Sequence, residues 1–193
     1  MKMIAGLVLL GFLQNANAAV SLAPTQGSTQ FLAVGRPSAL KINGKGEGPS
    51  GSLSFKKDGD AFAMSGEAIV DMSRFETGIG MRDRHMKDTY LEVEKFKTAK
   101  LTLKDVKVPK AALESGGEVK CKGNLDLHGK QQDVDVVITL EKKDANLGAT
   151  SKFTIKLSDF AIAVPKYAGI TVADEVTVTT ETRIPAQAVA EGT

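Results

Sequence analysis

Residues 118–141, EVKCKGNLDLHGKQQDVDVVITLE, alternate between apolar and polar side chains on either side of a short break at His128 and Gly129. The apolar positions are Val119, Cys121, Gly123, Leu125 and Leu127 before the break, and Val134, Val136, Ile138 and Leu140 after it. A period of two residues is typical of a β-strand with one buried and one solvent-exposed face. Strands of parallel sheets are covered on both faces and show continuous apolar runs instead. The segment therefore predicts two neighbouring antiparallel strands.

The same alternation recurs along most of the chain and predicts about eight strands, or nine when the weakest segment is included. Their approximate bounds are 30–34, 40–45, 51–57, 61–72, 99–106, 117–127, 132–142, 151–157 and 174–183, of which the first is the weakest. A helical pattern is found at 81–91, so one short helix should flank the sheet. Strands with a single apolar face must close into a barrel or pack on a second sheet to protect their edges. The pattern alone leaves both architectures open.

The first eighteen residues have the pattern of a secretory signal peptide. Lys2 precedes an apolar run at 4–13, and the Ala-Asn-Ala sequence at 16–18 is typical of a cleavage site. The run is shorter than the roughly 20 apolar residues that cross a bilayer. We therefore predict a signal peptide at 1–18, a single domain at 19–193 and no stable membrane insertion. Export to the periplasm is the first prediction, and secretion is the alternative.

Composition argues against several classes of function. The chain has 25 Lys and Arg residues against 23 Asp and Glu, and because the two signs are interleaved no nucleic-acid-binding surface is expected. Cys121 is the single cysteine, so no internal disulfide can form, and its phase predicts a small buried residue. The two histidines, His85 and His128, lack partners at the spacing of zinc ligands. No metal site and no cofactor are predicted.

Arg82, Asp83 and His85 form a dense polar motif. A histidine near a carboxylate can act as a general base, so a hydrolase using His85 and Asp83 is one alternative. No G-x-S-x-G sequence supplies a matching nucleophile. In the structural interpretation, Asp83 accepts hydrogen bonds from backbone N–H groups at the helix start, and Arg82 braces a carboxylate on a neighbouring strand. His128, which precedes Gly129, is predicted to be a turn residue with a satisfied side chain.

Three segments resemble the YceI-like family of exported lipid-binding barrels. They are FETGIGMRDRHMKDTYLEVEKFKTAKLTL at 75–103, GNLDLHGKQQDVDV at 123–136, and LSDFAIAVPKYAGITVADEVTVTTE at 157–181. The resemblance implies an all-β fold, namely a lipocalin-like antiparallel barrel with a short flanking helix. It also implies a carrier for a long-chain amphiphile such as a polyisoprenoid, possibly a quinone, without catalysis. Tyr90 and Leu91 replace the usual Phe pair, which leaves the identity of the ligand open.

Ten residues are predicted to contact such a ligand. They are Val70, Met72, Met81, His85, Met86, Tyr90, Phe96, Val136, Ile138 and Tyr167. Met81, Met86, Tyr90 and Phe96 are expected to close an apolar mouth, with His85 or Tyr90 near the head group. A fatty acid or fatty amide is the alternative ligand. A barrel filled by its own side chains, acting as a structural or interaction module, and a homodimer formed through strand edges are further alternatives.

Overall fold

The computed structural model describes residues 18–36, 40–143, 146–167 and 169–185, and the predicted signal peptide lies outside these ranges except for Ala18. One antiparallel sheet of eleven strands dominates the described chain. The strands are β1 (Ala18–Leu22), β2 (Gly27–Arg36), β3 (Leu40–Glu47), β4 (Ser50–Asp58), β5 (Ala61–Asp71), β6 (Thr98–Pro109), β7 (Gly117–Leu127), β8 (Lys130–Lys143), β9 (Asn146–Lys156), β10 (Lys166–Tyr167) and β11 (Ile170–Pro185). Two short helices, α1 (Gly80–His85) and α2 (Lys110–Ser115), accompany the sheet.

Ten of the strands follow the order β1-β4-β5-β6-β7-β8-β9-β11-β2-β3, and β10 pairs with β11. No pairing joins the end strands β1 and β3 within the described ranges. Near this seam, Gly48 N donates to Pro24 O at 3.0 Å, and Lys45 and Glu76 exchange backbone hydrogen bonds of 2.8 and 2.9 Å. The sheet thus curls into an incompletely closed barrel. The predicted all-β class, antiparallel sheet and flanking helix are confirmed.

The structure differs from the sequence prediction in detail. Two further strands, β1 and β10, are only five and two residues long, which is too short for a clear alternation. The predicted helix at 81–91 is divided, because α1 ends at His85 and a π-helical turn, Met86–Tyr90, continues it. Three 3₁₀ turns lie at Pro24–Gln26, Met72–Arg74 and Leu157–Phe160. Among the helices described, none combines the length and the apolar character needed to span a bilayer.

A β-bulge in β6 divides the β5–β6 pair into two parts. Met64 pairs with Val106 and Gly66 with Leu103, so that Lys104 and Asp105, whose φ is +48°, both oppose the single residue Ser65. Asp105 N donates to Ser65 Oγ at 2.8 Å, which stabilises the irregular backbone. A bulge bends the strand that carries it, and here it moves the buried face of β6 from Leu101 and Leu103 to Val106 and Val108. Before the bulge the inward side chains of β5 are fully buried, and after it they border a cavity.

The half of the barrel before the bulge is filled. Phe55 and Val108 are each 1% exposed, and Phe62 and Met64 pack in the same core. Strand β6 pairs with β7 over three residues only, and α2 contributes the buried Ala112 to the same core. We call this part, which contains the β4–β5 hairpin and α2, the filled half.

Cys121 follows its prediction in outline. It is half-buried and packs against the core, and burial raises the pKa of its thiol. A neutral, partly covered thiol is a weak nucleophile, so a structural role for this side chain is favoured over a reactive one.

Candidate ligand-binding cavity

A cavity of about 460 Å³ occupies the half of the barrel beyond the β6 bulge, which we call the hollow half. Its volume lies within the roughly 300–1,000 Å³ typical of small-molecule sites. The strands contribute Thr29, Phe31 and Ala33 of β2; Leu40 and Ile42 of β3; Ala68 and Val70 of β5; Ala99 and Leu101 of β6; Leu125 and Leu127 of β7; Ser151, Phe153 and Ile155 of β9; and Ile170, Val172, Val176, Val178 and Thr180 of β11. Most of these side chains are apolar, so the cavity suits a hydrophobic ligand.

Two aromatic rings form part of the wall next to β3. The centroids of Phe31 and Phe75 are 5.7 Å apart with the rings tilted, an arrangement that aromatic pairs favour. The ring of Phe31 lies so close to Gly44 that a Cβ at this position would come within 2.0 Å of it. Glycine at position 44 is therefore needed for the wall, because any side chain would displace the ring.

Three hydroxyl residues lie in register at the inner end of the cavity. Thr180 of β11 pairs with Ser151 of β9 on one side and with Thr29 of β2 on the other. Thr29 is 2% exposed, and Thr180 Oγ1 donates to Thr29 Oγ1 at 3.4 Å. Thr182 Oγ1, two residues along β11, is the one buried side-chain polar atom without a hydrogen-bond partner in the described chain. The inner end is thus more polar than the walls.

The other end of the cavity is covered by the segment 77–90, which we call the strap. Thr77 lies at its start, and its backbone N–H donates to Asp83 Oδ1 at 2.7 Å. The Thr77 hydroxyl donates to the same carboxylate oxygen. Arg82 completes the cluster, since its Nε donates to Thr77 Oγ1 at 2.7 Å and its Nη2 to Thr77 O at 2.9 Å. These bonds hold α1 against the residues that precede it.

The Asp83 carboxylate is ionised in this cluster. Desolvation raises the pKa of Asp83, but the hydrogen bonds from Thr77 and the charges of Lys87 and Arg82 lower it by more. The net pKa therefore lies below the ordinary value of 3.8. Arg82 was predicted to contact a carboxylate on a neighbouring strand, and this prediction is wrong because its guanidinium instead donates to Thr77. The backbone donor to Asp83 is Thr77, which precedes α1 rather than opening it.

The polar motif does not have the geometry of a general base with its carboxylate. Asp83 accepts hydrogen bonds from Thr77, and no hydrogen bond joins it to His85 within the described ranges. His85 is exposed and borders the cavity. The described residues also contain no group of three or more His, Cys, Asp or Glu side chains that could hold a metal ion.

Six of the ten predicted ligand residues border the cavity, three (Val136, Ile138 and Phe96) do not, and the side chain of Tyr167 is not described. The six are Val70, Met72, Met81, His85, Met86 and Tyr90. Val136 and Ile138 are buried in the core, opposite Cys121 and Val119 of β7, and no described residue of β8 borders the cavity. Tyr167 belongs to β10 and pairs with Ile170 through its backbone, and its side chain lies outside the described part of the structure.

Phe96 has a different position from the predicted mouth. Its ring packs on the ring of His128 with centroids 4.3 Å apart, next to Gly129. His128 has φ of +53° and occupies the tight turn between β7 and β8. Its Nδ1 lies 3.1 Å from Phe160 O, and its Nε2 lies 3.2 Å from Glu92 Oε2. The predicted turn role of His128 is confirmed, and Phe96 covers that turn and is not among the residues that border the cavity.

Several lining residues were missed by sequence reasoning. Phe153 and Ile155 of β9 and Val172 of β11 border the cavity, although none was among the predicted ligand residues. Their alternation identified an inward face, but nothing in it distinguishes a side chain next to a void from one that packs against a neighbour. Leu40, at the first position of β3, was missed for the same reason.

Comparison with known proteins gives a family and a set of similar structures. The model of the YceI-like domain matches residues 21–184. A polyisoprenoid binding domain from Saccharophagus degradans, implicated in plant cell wall breakdown, is 18% identical; the match covers 88% of this chain and 99% of that chain, with a TM-score of 0.64. BcnA of Burkholderia cenocepacia is 19% identical, with coverage of 84% and 98% and a TM-score of 0.67.

A further similar structure is the YCEI protein of Campylobacter jejuni, at 19% identity, with coverage of 76% of this chain and 85% of that one and a TM-score of 0.58. No curated protein matches the sequence significantly. At these identities the solved structures support the shared fold, whereas the match of the family model extends over most of the chain, from the end of β1 into β11. The protein belongs to the YceI-like domain family.

Proposed function

We propose that the protein binds one long-chain amphiphile, a polyisoprenoid such as a quinone, and carries it through an aqueous compartment without changing it chemically. The observation that carries this proposal is the apolar cavity of about 460 Å³ inside a barrel whose other half is filled. Each methylene group hidden from water contributes about 0.8 kcal/mol, so a long isoprenoid tail strongly favours such an interior over water.

The relatives support a lipid as the ligand class. One similar structure is described as a polyisoprenoid binding domain, and the shared fold covers 88% of the present chain. Three methionines are consistent with this class, because Met72, which precedes the strap, and Met81 and Met86, which belong to it, all border the cavity. Unbranched, polarisable side chains adapt to a flexible ligand.

Binding without catalysis is part of the proposal. The carboxylate nearest to His85 in the motif, Asp83, is engaged by Thr77 and Arg82 and holds the strap in place. This arrangement supports a structural role for the motif. Turnover of ester substrates that disappears in the His85→Ala variant would contradict the absence of catalysis.

An acidic lipid such as a fatty acid is the second candidate, and one observation favours it. Arg82, His85 and Lys166 border the cavity, and no Asp or Glu is among the lining residues of the described chain. The positive charges of Arg82 and Lys166, without a carboxylate in the described lining, stabilise an anionic head group. Competition between a fatty acid and the corresponding neutral amide for the purified protein separates the two cases, because charge recognition favours the acid.

The direct test is extraction of the purified protein with organic solvent, followed by mass spectrometry. We expect about one isoprenoid chain per protein molecule. A fatty acid at the same stoichiometry would favour the second candidate. Extraction of no lipid, together with failure to bind added isoprenoid after delipidation, would contradict a carrier and favour a structural or interaction module.

We also propose that the chain is exported and acts in the periplasm. The sequence pattern of residues 1–18 supports this proposal. Sequencing of the N-terminus of the protein recovered from its native compartment tests it. A mature protein that begins at Ala19 is expected, and an intact N-terminus in the cytoplasmic fraction would contradict it.

A further inference from the structure

The mouth of the cavity carries the exposed apolar side chains of the molecule. Among the described residues, three large hydrophobic side chains are exposed: Leu40 at 42%, Ile79 at 53% and Met81 at 66%. All three border the cavity, and they come from two separate segments, the start of β3 and the strap. Scattered exposed apolar residues are common, but a concentration at one opening indicates an interaction surface.

Positively charged residues lie next to these apolar residues in the chain or on the neighbouring strand. Arg84 follows Met81 by three positions on α1 and therefore lies on the same side of the helix. Lys41 follows Leu40, and Arg36 ends the neighbouring strand β2, whose Gly35 pairs with Leu40. These three cations are exposed, and none makes an ion pair within 4 Å to another described residue.

Carboxylates at the mouth offset this charge only in part. Residues 79–91 carry Arg82, Arg84 and Lys87 against Asp83 and Asp88. The Asp83 carboxylate accepts hydrogen bonds from the backbone and the hydroxyl of Thr77. The ion pairs of the described chain lie elsewhere, for example between residues of β7 and β8 on the barrel wall. Exposed cations without an ion partner in the described chain thus lie next to the exposed apolar side chains, and Arg82 and Lys166 line the cavity with no Asp or Glu among the described lining residues.

We propose that the mouth docks on the surface of a lipid bilayer that contains anionic lipids. Leu40, Ile79 and Met81 enter the interface, while Lys41 and Arg84 lie at the level of the phosphates. This inference rests on the proposed function, because a carrier must meet the bilayer to take up or release its ligand. Apolar side chains flanked by Lys and Arg are the composition that binds at such an interface. Docking through the mouth also lets a lipid tail pass from bilayer to cavity without crossing water.

A second copy of the chain is the competing occupant of this surface. An isologous dimer through the mouth would bring Arg84, Lys41 and Arg36 of both copies close together, and like charges facing each other across an interface disfavour association. The phosphates of anionic lipids instead neutralise the same cations. Charge complementarity therefore favours the bilayer.

The test is sedimentation of the full-length mature protein with vesicles. Phosphatidylcholine vesicles with and without phosphatidylglycerol are compared at low and high salt. We expect binding to the anionic vesicles that weakens at high salt, and little binding to pure phosphatidylcholine. Equal binding to both vesicle types, or no binding to either, would overturn the proposal.

Two pairs of variants locate the surface. The double variant Lys41→Gln, Arg84→Gln should bind anionic vesicles about thirtyfold more weakly, since each lost cation corresponds to about fivefold. The matched control Lys104→Gln, Lys107→Gln removes the same charge from β6, where the side chains are exposed and distant from the mouth. An equal loss in both pairs would show that net charge, rather than the mouth, is responsible, and would overturn the proposal.

The apolar part is tested with Ile79→Ser, Met81→Ser. This variant should also lose vesicle binding by about tenfold or more, because burial of two large apolar side chains contributes at least ~1.4 kcal/mol. Gel filtration of the same variant detects the competing occupant, since loss of a dimer together with absence of vesicle binding by the parent protein would assign the mouth to a second copy.

Lipid content is measured in parallel for the Lys41→Gln, Arg84→Gln variant. The lipid content of the parent protein is measured as well. If the parent protein retains its lipid but does not bind vesicles, docking is overturned while the carrier function is left intact.

Discussion

In the filled half of the barrel, aromatic and branched side chains meet across the interior, whereas in the hollow half the same sheet encloses a cavity of about 460 Å³. Strand β5 passes through both and has inward apolar residues in each, Phe62 and Met64 before the bulge and Ala68 and Val70 after it. Local sequence periodicity is the same in the two parts. What differs is the size of the inward side chains, since the inward positions of β5 keep the same phase on both sides of the bulge in β6.

The largest expected effect compares one phenylalanine from each half. Phe55→Ala in the filled half should lower the free energy of unfolding by about 3–5 kcal/mol, because it removes a fully buried ring and leaves a void. Phe153→Ala in the hollow half should cost about half as much in the lipid-free protein, since part of its ring already borders empty space. Urea denaturation of delipidated protein measures both. Equal losses would mean that the hollow half is packed as densely as the filled half.

A second prediction fills the cavity. Val178→Phe adds volume at the centre of the β11 wall and should weaken lipid binding by about tenfold or more, which corresponds to ~1.4 kcal/mol. Thr177→Phe is the matched control, because the adjacent residue of a strand points to the opposite face. Titration of delipidated protein with a fluorescent isoprenoid analogue measures the affinities. Unchanged binding by Val178→Phe would place the ligand elsewhere.

A third prediction concerns acid, because carboxylates fasten the turns of the hollow half. The pKa of Asp83 is below 3.8, so the ionised carboxylate stabilises the folded strap above that pH, and this contribution disappears as the pH falls through the folded-state pKa. Hydrogen exchange at α1 should therefore accelerate below about pH 3.8, before that of Val108 and Phe62 in the filled half. Asp83→Asn should loosen α1 at neutral pH by about 1 kcal/mol, as loss of a capping group does, and remove this pH dependence.

The control for this acid effect is a carboxylate in the same half but outside the strap. Hydrogen bonds from Ser158 lower the pKa of Asp174, which holds the turn at Leu157–Phe160. Asp174→Asn should leave the exchange of α1 and its pH dependence unchanged. Identical behaviour of the two variants would show that the whole hollow half loosens as one unit.

The smallest expected effect locates the head group within the hollow half. Tyr90→Phe, in the strap, should weaken lipid binding by about 0.5–1.5 kcal/mol, the net contribution of one hydrogen bond. Ser151→Ala, at the inner end, should change it by less than about 0.5 kcal/mol, because an apolar tail reaches that end and forms no hydrogen bond there. The opposite order of effects in the same titration would place the head group against the hydroxyls of Ser151, Thr180 and Thr29.

Much of the fold could be predicted because β-strand alternation is a local property. The residues of β7 and β8 have inward and outward faces that follow directly from a period of two, and their pairing across His128 and Gly129 follows from the turn. The short strands β1 and β10 were missed, since two to five residues contain too few repeats to define a face. The π-helical turn after His85 was missed because its side chains continue a helical pattern.

The cavity was predicted less completely. Residues of the strap were found because the polar motif and methionines around His85 mark it as unusual. Val136 and Ile138 were expected to line the cavity and instead pack in the core, although their alternation is identical to that of Phe153 and Ile155. The sequence pattern predicts which side chains point into the barrel, but it does not predict how far they lie from the strands on the opposite side.

The sequence by itself determined an antiparallel all-β chain with one apolar face, a short helix at the polar motif, and a resemblance to lipid-binding barrels. The tertiary structure alone decided which part of the interior is filled and which is hollow. It also decided that Asp83 and Arg82 form hydrogen bonds with Thr77, and that Leu40, Ile79 and Met81 border the same cavity. The physical reason is that side-chain direction depends on neighbouring residues, whereas packing depends on distances between strands that are remote in the chain.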